Sequence, residues 1–314
     1  MTTVSEPTQT ACPSTSEKTW RYSFLGYLSL IMWSFGAVFT ALIKNLPVFQ
    51  TLFLVFSISF LLIALKLTLT HTWYRIKQPW FLWLIGIIGM FGNEYLFIAA
   101  FKHAPAVQVD LINYLWPIMV IVFSGLLPNE TFKIKYVFAA FIGFYGVFIL
   151  ITNGEGIHGF HVEYWQGYCL AFLEAFVWTA YTLFARHYRT VPTEMVGMYY
   201  GVSALIACFF HFFTEPSVMP SLGQIGILCL MGLTTQGAAY LLWDIGVKQG
   251  HFKLLSLLSY GNPVLSVFFL VLFGLATANH AVILACLLVS SGAVIGGIEW
   301  KKNLKRAEWM AKSI

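Results

Sequence analysis

Charge is what this sequence has least of: only 10% of its 314 residues are Asp, Glu, Lys or Arg. A soluble domain carries roughly 25% charged residues, because its surface has to be wetted. So small a supply excludes a soluble enzyme, a disordered chain and a nucleic-acid binder. Cysteine is sparse as well. Of five cysteines, Cys12 sits in a polar segment and Cys169, Cys208, Cys229 and Cys286 lie inside apolar runs. None are spaced as CxxC, which leaves no zinc ribbon and no disulfide framework. A P-loop, a Ser/His/Asp set and an HExxH helix are also missing, so no catalytic residue, cofactor or metal is expected. His158 and His161, in a Gly-rich connection, read as a solvated loop. Residues 1–21 lack a basic stretch followed by an apolar core, and read as a disordered cytoplasmic tail without a cleaved signal.

Apolar residues, by contrast, make up 59% of the chain and aromatics 18%, with a mean hydropathy of +0.76. A helix needs about 20 consecutive apolar residues to cross a bilayer. Ten stretches qualify: 22–43, 48–69, 80–101, 105–127, 132–152, 164–186, 194–213, 222–247, 252–273 and 279–299. Between them stand helix breakers such as Pro47, Pro79, Pro128, Gly154, Pro216 and Pro220. The fold class read from this is an all-α integral membrane protein of ten transmembrane helices. If the N-terminus is cytoplasmic, the inside receives 16 Lys and Arg and the outside only Lys44 and Lys102. That asymmetry places both termini in the cytoplasm. The basic segment 300–314, with KKNLKR at 301–306, reads as a cytoplasmic end held against anionic lipid.

The two halves resemble each other. Residues 95–117 (YLFIAAFKHAPAVQVDLINYLWP) align without gaps on 241–263 (LLWDIGVKQGHFKLLSLLSYGNP), a shift of 146 residues. The shift superposes Lys102 on Lys248, Tyr114 on Tyr260, Pro117 on Pro263 and Gly146 on Gly292. Five spans is an odd number, so the second copy must be inverted in the membrane. The chain then divides into repeats at 22–152 and 164–299. Two inverted five-helix repeats are a transporter plan, with the substrate site near the midplane between them.

Several motifs carry a closer resemblance: NYLWP at 113–117, FVWTAY at 176–181, Tyr240 to Gly246 with Trp243 inside it, and SYGNPVLS at 259–266. With these the chain resembles the drug/metabolite transporter superfamily of EamA type, and within it the bacterial aromatic amino-acid exporters. Asp244 and Glu174 depart from the pattern of those exporters, which have Asn and Gly there. The resemblance implies a multi-pass protein of the bacterial inner membrane that exports aromatic and other neutral amino acids by alternating access. A multidrug or other small-metabolite exporter of the same fold is the alternative. A lipid-acting membrane enzyme is a remote one, lacking any nucleophile–base or metal constellation.

Polar residues inside spans are costly and face a cavity or a partner. Glu174, Trp178 and Tyr181 share one helical face, as do Asp110, Asn113, Tyr114 and Pro117. Ser256, Ser259, Tyr260 and Pro263 repeat the pattern in the second half, and Gln236, Tyr240, Trp243 and Asp244 form one side of another span. Such stripes suit a small molecule with an apolar ring and a polar head. The expected substrate-binding residues are Asn113, Tyr114, Trp116, Trp178, Tyr181, Trp243 and Tyr260. Glu94 and Glu174 are expected to take an ammonium group or a proton. Asp244, four residues before Lys248, reads equally as half of an ion pair. Asp110 reads as a carboxylate at a helix start. Pro117 and Pro263 are expected hinges. Gly86, Gly89 and Gly92 are expected to allow close helix packing.

Overall fold

The computed structural model describes residues 15–295 except 129, 131–132, 153, 155, 157–160, 276, 278–279 and 293. Eight helices among them are long and apolar enough to cross a membrane. They are α1 (Lys18–Leu42), α2 (Val48–Leu69), α3 (Trp80–His103), α4 (Gln108–Leu126), α5 (Ile134–Ile151), α6 (Val162–His187), α7 (Glu194–Thr214) and α8 (Leu222–Gln249). A ninth span, α9, is a pair, Phe252–Leu258 and Gly261–Leu272, bent by 42°. The last, α10 (His280–Gly292), is a shorter apolar helix. The tenth span expected at 279–299 lies partly outside the described residues, as do the tail before residue 15 and the basic segment 300–314. The protein is an all-α, multi-pass membrane protein. Its exposed side chains fit that solvent: Leu61, Leu65, Phe209, Phe212 and Phe213 are all well exposed on α2 and α7, where only lipid tolerates them.

The internal repeat is written into the backbone. α3 switches to a π-turn at Ile88–Gly92, and α8 does so at Thr234–Ala238. The same 146-residue shift separates these two turns, although they share only their glycine content. Packing follows the repeat too. α2 lies along its counterpart α7, α1 packs on α8, and α6 packs on α3. The last two pairs are the same pairing with the repeats exchanged, as a pseudo-two-fold axis requires. The α1–α8 contact is close because Gly26 meets Gly246: a Cβ on Gly246 would stand 2.6 Å from the Gly26 Cα. On α3 the glycines serve another purpose. Gly86 and Gly89 accept the rings of Tyr199 and Tyr181 rather than a neighbouring backbone, and Gly92 meets only Ile88 of its own helix.

Each repeat also breaks its fourth span just before a proline. A proline has no N–H, so the carbonyl four residues earlier loses its partner. Before Pro117 the chain tightens, with the Leu115 N–H donating to the Ile112 carbonyl at 3.1 Å. Before Pro263 the Asn262 N–H donates to the Ser259 carbonyl at 2.9 Å, which satisfies the group Pro263 leaves open. The discontinuities therefore fall at Tyr114–Leu115 and Ser259–Tyr260, a turn ahead of the prolines themselves.

Candidate functional site

At these breaks a cavity of about 150 Å³ opens in the middle of the bundle. Backbone that leaves the helical ladder inside a membrane has to be buried in protein or line a cavity, and here it does the second. α6 contributes Glu174 and Trp178, the broken α4 contributes Asn113, Tyr114 and Trp116, and the α9 bend contributes Ser259 and Asn262. Trp33 of α1, Tyr240 of α8 and Asn93, just past the α3 π-turn, close the remaining sides.

Glu174 is the centre of the polar side. Its side chain is almost entirely buried, and the Asn113 amide Nδ2 donates to its Oε2. That bond joins α6 to α4, and so one repeat to the other. Glu94 sits in a neighbouring group rather than among the cavity's lining residues: its Oε1 accepts from Gln236 Nε2 and from the Tyr240 hydroxyl, each at 3.4 Å. Across the cavity, Ser34 Oγ donates to Asn262 Oδ1 at 2.7 Å and fixes the α9 bend to α1. Two lining residues carry buried polar atoms without a hydrogen-bond partner among the described residues, the donor Trp33 Nε1 and the acceptor Asn93 Oδ1. A buried atom left unpaired costs about 1–3 kcal/mol, so such atoms mark where a ligand or ordered water bonds.

The other side is aromatic. Trp178 and Trp243 lie against each other and against both Trp33 and Trp116, with ring centroids 5.4 to 6.3 Å apart. Tyr240 meets Trp33 edge-on at 4.9 Å. Contacts of this kind contribute about 0.5–1.5 kcal/mol each beyond simple burial, which makes the cluster a firm floor.

Of the residues expected from sequence, Asn113, Tyr114, Trp116, Glu174 and Trp178 therefore line one cavity. Tyr181 and Trp243 stand behind it: Tyr181 stacks on Trp178 at 5.6 Å, and Trp243 is 1% exposed beneath the other tryptophans. Tyr260 is fully buried in a separate cluster with Ile121, Ala139 and Leu257, its ring against Gly143. Sequence reasoning left out Asn93, Asn262 and Leu30, and did not count Trp33, Tyr240 or Ser259 among the expected binding residues. Asn262 was visible inside SYGNP, between two residues already singled out; Asn93 had no signal beyond standing next to Glu94.

The α6–α7 end of the bundle is held by charges instead. Glu130 accepts from Arg186 at 2.8 Å and pairs with Lys253 at 3.2 Å, with Arg189 at 3.7 Å. Arg186 also donates to the carbonyls of Val247, Lys248 and Gly250, capping α8, as a cation suits a helix C-terminus. Glu194 pairs with Lys66 at 2.8 Å and Arg75 at 3.0 Å. Asp244 and Lys248 form a 2.7 Å pair in which both side chains are buried. Trp178 stands eight residues before Arg186 on α6, about 12 Å along the helix, so the tryptophan floor lies between the cavity and these ion pairs.

Two stretches, residues 20–152 and 165–296, match the EamA-like transporter family. The aromatic amino acid exporter YddG of Ancylobacter novellus is 34% identical over 274 residues, covering 87% of this chain and 96% of its own. YddG of Salmonella typhimurium, also an aromatic amino acid exporter, is 28% identical over 54% of this chain and 58% of its own. One crystal structure of a protein 32% identical to this chain superposes with a TM-score of 0.85 over 90% of this chain and 98% of that one.

Proposed function

The chain belongs to the EamA-like transporter family, and from that premise we propose that it exports aromatic and other neutral amino acids across the bacterial inner membrane by alternating access. One observation carries the reading: a cavity in the middle of the bundle with an acid and an unpaired acceptor on one side and edge-to-face indoles on the other. A zwitterion with an apolar ring matches those parts. Its ammonium bonds Glu174 and the Asn93 amide oxygen, its carboxylate takes the Trp33 indole N–H, and its ring lies against Trp116, Trp178 and Tyr240. At about 150 Å³ the cavity is smaller than the roughly 300–1,000 Å³ of ordinary ligand pockets. Binding therefore requires the aromatic walls to part.

The repeats, 22–152 and 164–299, supply the moving parts. The paired breaks before Pro117 and Pro263 let one half-bundle tilt against the other, and the ion pairs at the α6–α7 end hold that end closed. Orientation follows the Lys and Arg asymmetry, so the α6–α7 end and both termini face the cytoplasm. Glu94 and Glu174 are the groups that exchange a proton or the substrate ammonium.

The test is flux of labelled phenylalanine and tryptophan in proteoliposomes, with and without a proton gradient. The expected outcome is saturable flux, reduced at least tenfold in Glu174→Gln, with the variant as stable as the parent. Absence of flux for every amino acid, in folded protein, sinks the reading; competition by unrelated drugs but not by amino acids favours a multidrug exporter.

A further inference from the structure

A second cavity, of about 510 Å³, lies at the α6–α7 end between α2, the turn containing Arg75, the α6–α7 connection and the end of α8. It shares no lining residue with the Glu174 cavity. Four cations line it, Lys66, Arg75, Arg189 and Lys248, against one acid, Glu194. Asp244 neutralises Lys248 from behind at 2.7 Å. The other three are undersupplied with anions. A single oxygen of Glu194 serves both Lys66 and Arg75. Arg189 reaches only to 3.7 Å from Glu130, which Arg186 and Lys253 already hold more closely. The side chains of Lys66, Arg75 and Arg189 are 54%, 41% and 48% exposed, so donors remain open to a ligand.

The rest of the wall is different in kind. Leu62 and Ile63 of α2 face Leu241 and Ile245 of α8 in the same lining, and the adjoining Leu61 and Leu65 of α2 are exposed. Donors for an oxyanion thus stand beside an apolar track running into the membrane-facing surface. A basic pocket between membrane helices is how acidic headgroups are held.

We propose that this cavity binds a phosphate group, carried by the headgroup of an acidic phospholipid whose chains follow the α2–α8 surface. Lys66 and Arg75 come from the first repeat and Arg189 from the second, so the bound phosphate bridges the two and favours the arrangement in which this end is shut. The site does not depend on which solute the protein moves, and its test needs no flux.

The purified full chain in a neutral detergent is titrated with phosphatidylglycerol, with phosphatidylcholine and with inorganic phosphate. Thermal stability and retained lipid, by native mass spectrometry, are read for each. Phosphatidylglycerol is expected to bind and stabilise, and phosphatidylcholine is not. Arg75→Gln/Arg189→Gln raises the half-saturating lipid about tenfold or more, since hydrogen bonds to a charged group are being removed. Lys133→Gln/Lys135→Gln, an equal loss of charge outside the pocket, leaves it unchanged. If the double variant does not fold, Lys66→Gln and Arg189→Gln are read singly, each with a smaller rise. A response to inorganic phosphate equal to that of the lipid would overturn the lipid as the source. Equal response to both lipids, or the same affinity in the pocket variants, overturns the site.

Discussion

The middle of the bundle and its α6–α7 end are both built where the repeats meet, yet from opposite chemistries. In the middle, one acid, Glu174, is answered by a neutral amide and surrounded by indoles. At the end, Glu130 and Glu194 each gather more than one cation. A neutral partner leaves an acid free to exchange one ligand for another, and uncommitted polar atoms such as Trp33 Nε1 stand ready beside it. Opposed charges commit each other, and commitment suits a closure. The difference teaches that contact across an interface is not by itself a site: what matters is which groups are left with bonding capacity.

The contrast breaks most readily at Asp244. Its pair with Lys248 is the most deeply buried of those at this end, the two side chains 3% and 4% exposed. Asp244→Asn leaves a buried ammonium without its counter-ion, and removing one partner of such a pair costs about 3–5 kcal/mol. Unfolding in mixed micelles should register that loss. A change below 1 kcal/mol would mean that the Val191 carbonyl, which accepts from Lys248 at 2.8 Å, satisfies the cation unaided.

Glu194→Gln sharpens the same comparison from the weaker side. Glu194 is buried but its partners are about half exposed, and water screens such pairs to roughly 0–1 kcal/mol. Stability should fall by no more than that, and the loss should shrink further at high salt, read by repeating the unfolding in 1 M salt. An effect as large as that of Asp244→Asn would mean that water does not screen the Glu194 pairs.

The effect confined to the narrowest range of conditions is a pH dependence. Burial, and then the charge of Arg186, push the His251 imidazole from an ordinary value of 6.5 down to about 4. The folded protein thus binds this proton less readily than the unfolded chain does. Its contribution to stability is complete above pH 6.5 and is lost as the pH falls toward 4. His251→Gln should flatten that part of the stability profile, measured by thermal unfolding across pH 4–7. An unchanged slope would assign the acid sensitivity to another group.

Much of the architecture was legible in the order of residues, for reasons that particular segments make plain. α2 reads as a span because most of its residues prefer lipid to water, and that preference does not depend on the rest of the fold. The 146-residue repeat was likewise readable from matched landmarks such as Pro117 and Pro263. The π-turns at Ile88–Gly92 and Thr234–Ala238 were not, because a π-turn is set by what packs against a helix as much as by the helix itself. The site was legible by type. Its stripes named Glu174, Trp178, Asn113 and Tyr114, but helical spacing could not separate Trp178, which lines the cavity, from Tyr260, which lies buried in another cluster.

Composition alone thus determined the class of protein and most of its spans, because partition between water and lipid is a sum of local terms, and matched landmarks disclosed the internal repeat. Only the tertiary structure decided that Asn113 bonds Glu174, that Glu130 gathers Arg186 and Lys253, and that Glu194 sits between Lys66 and Arg75. Those pairs join residues about 50 to 130 positions apart. Their energies depend on distance and burial in space, which no local reading of the chain contains.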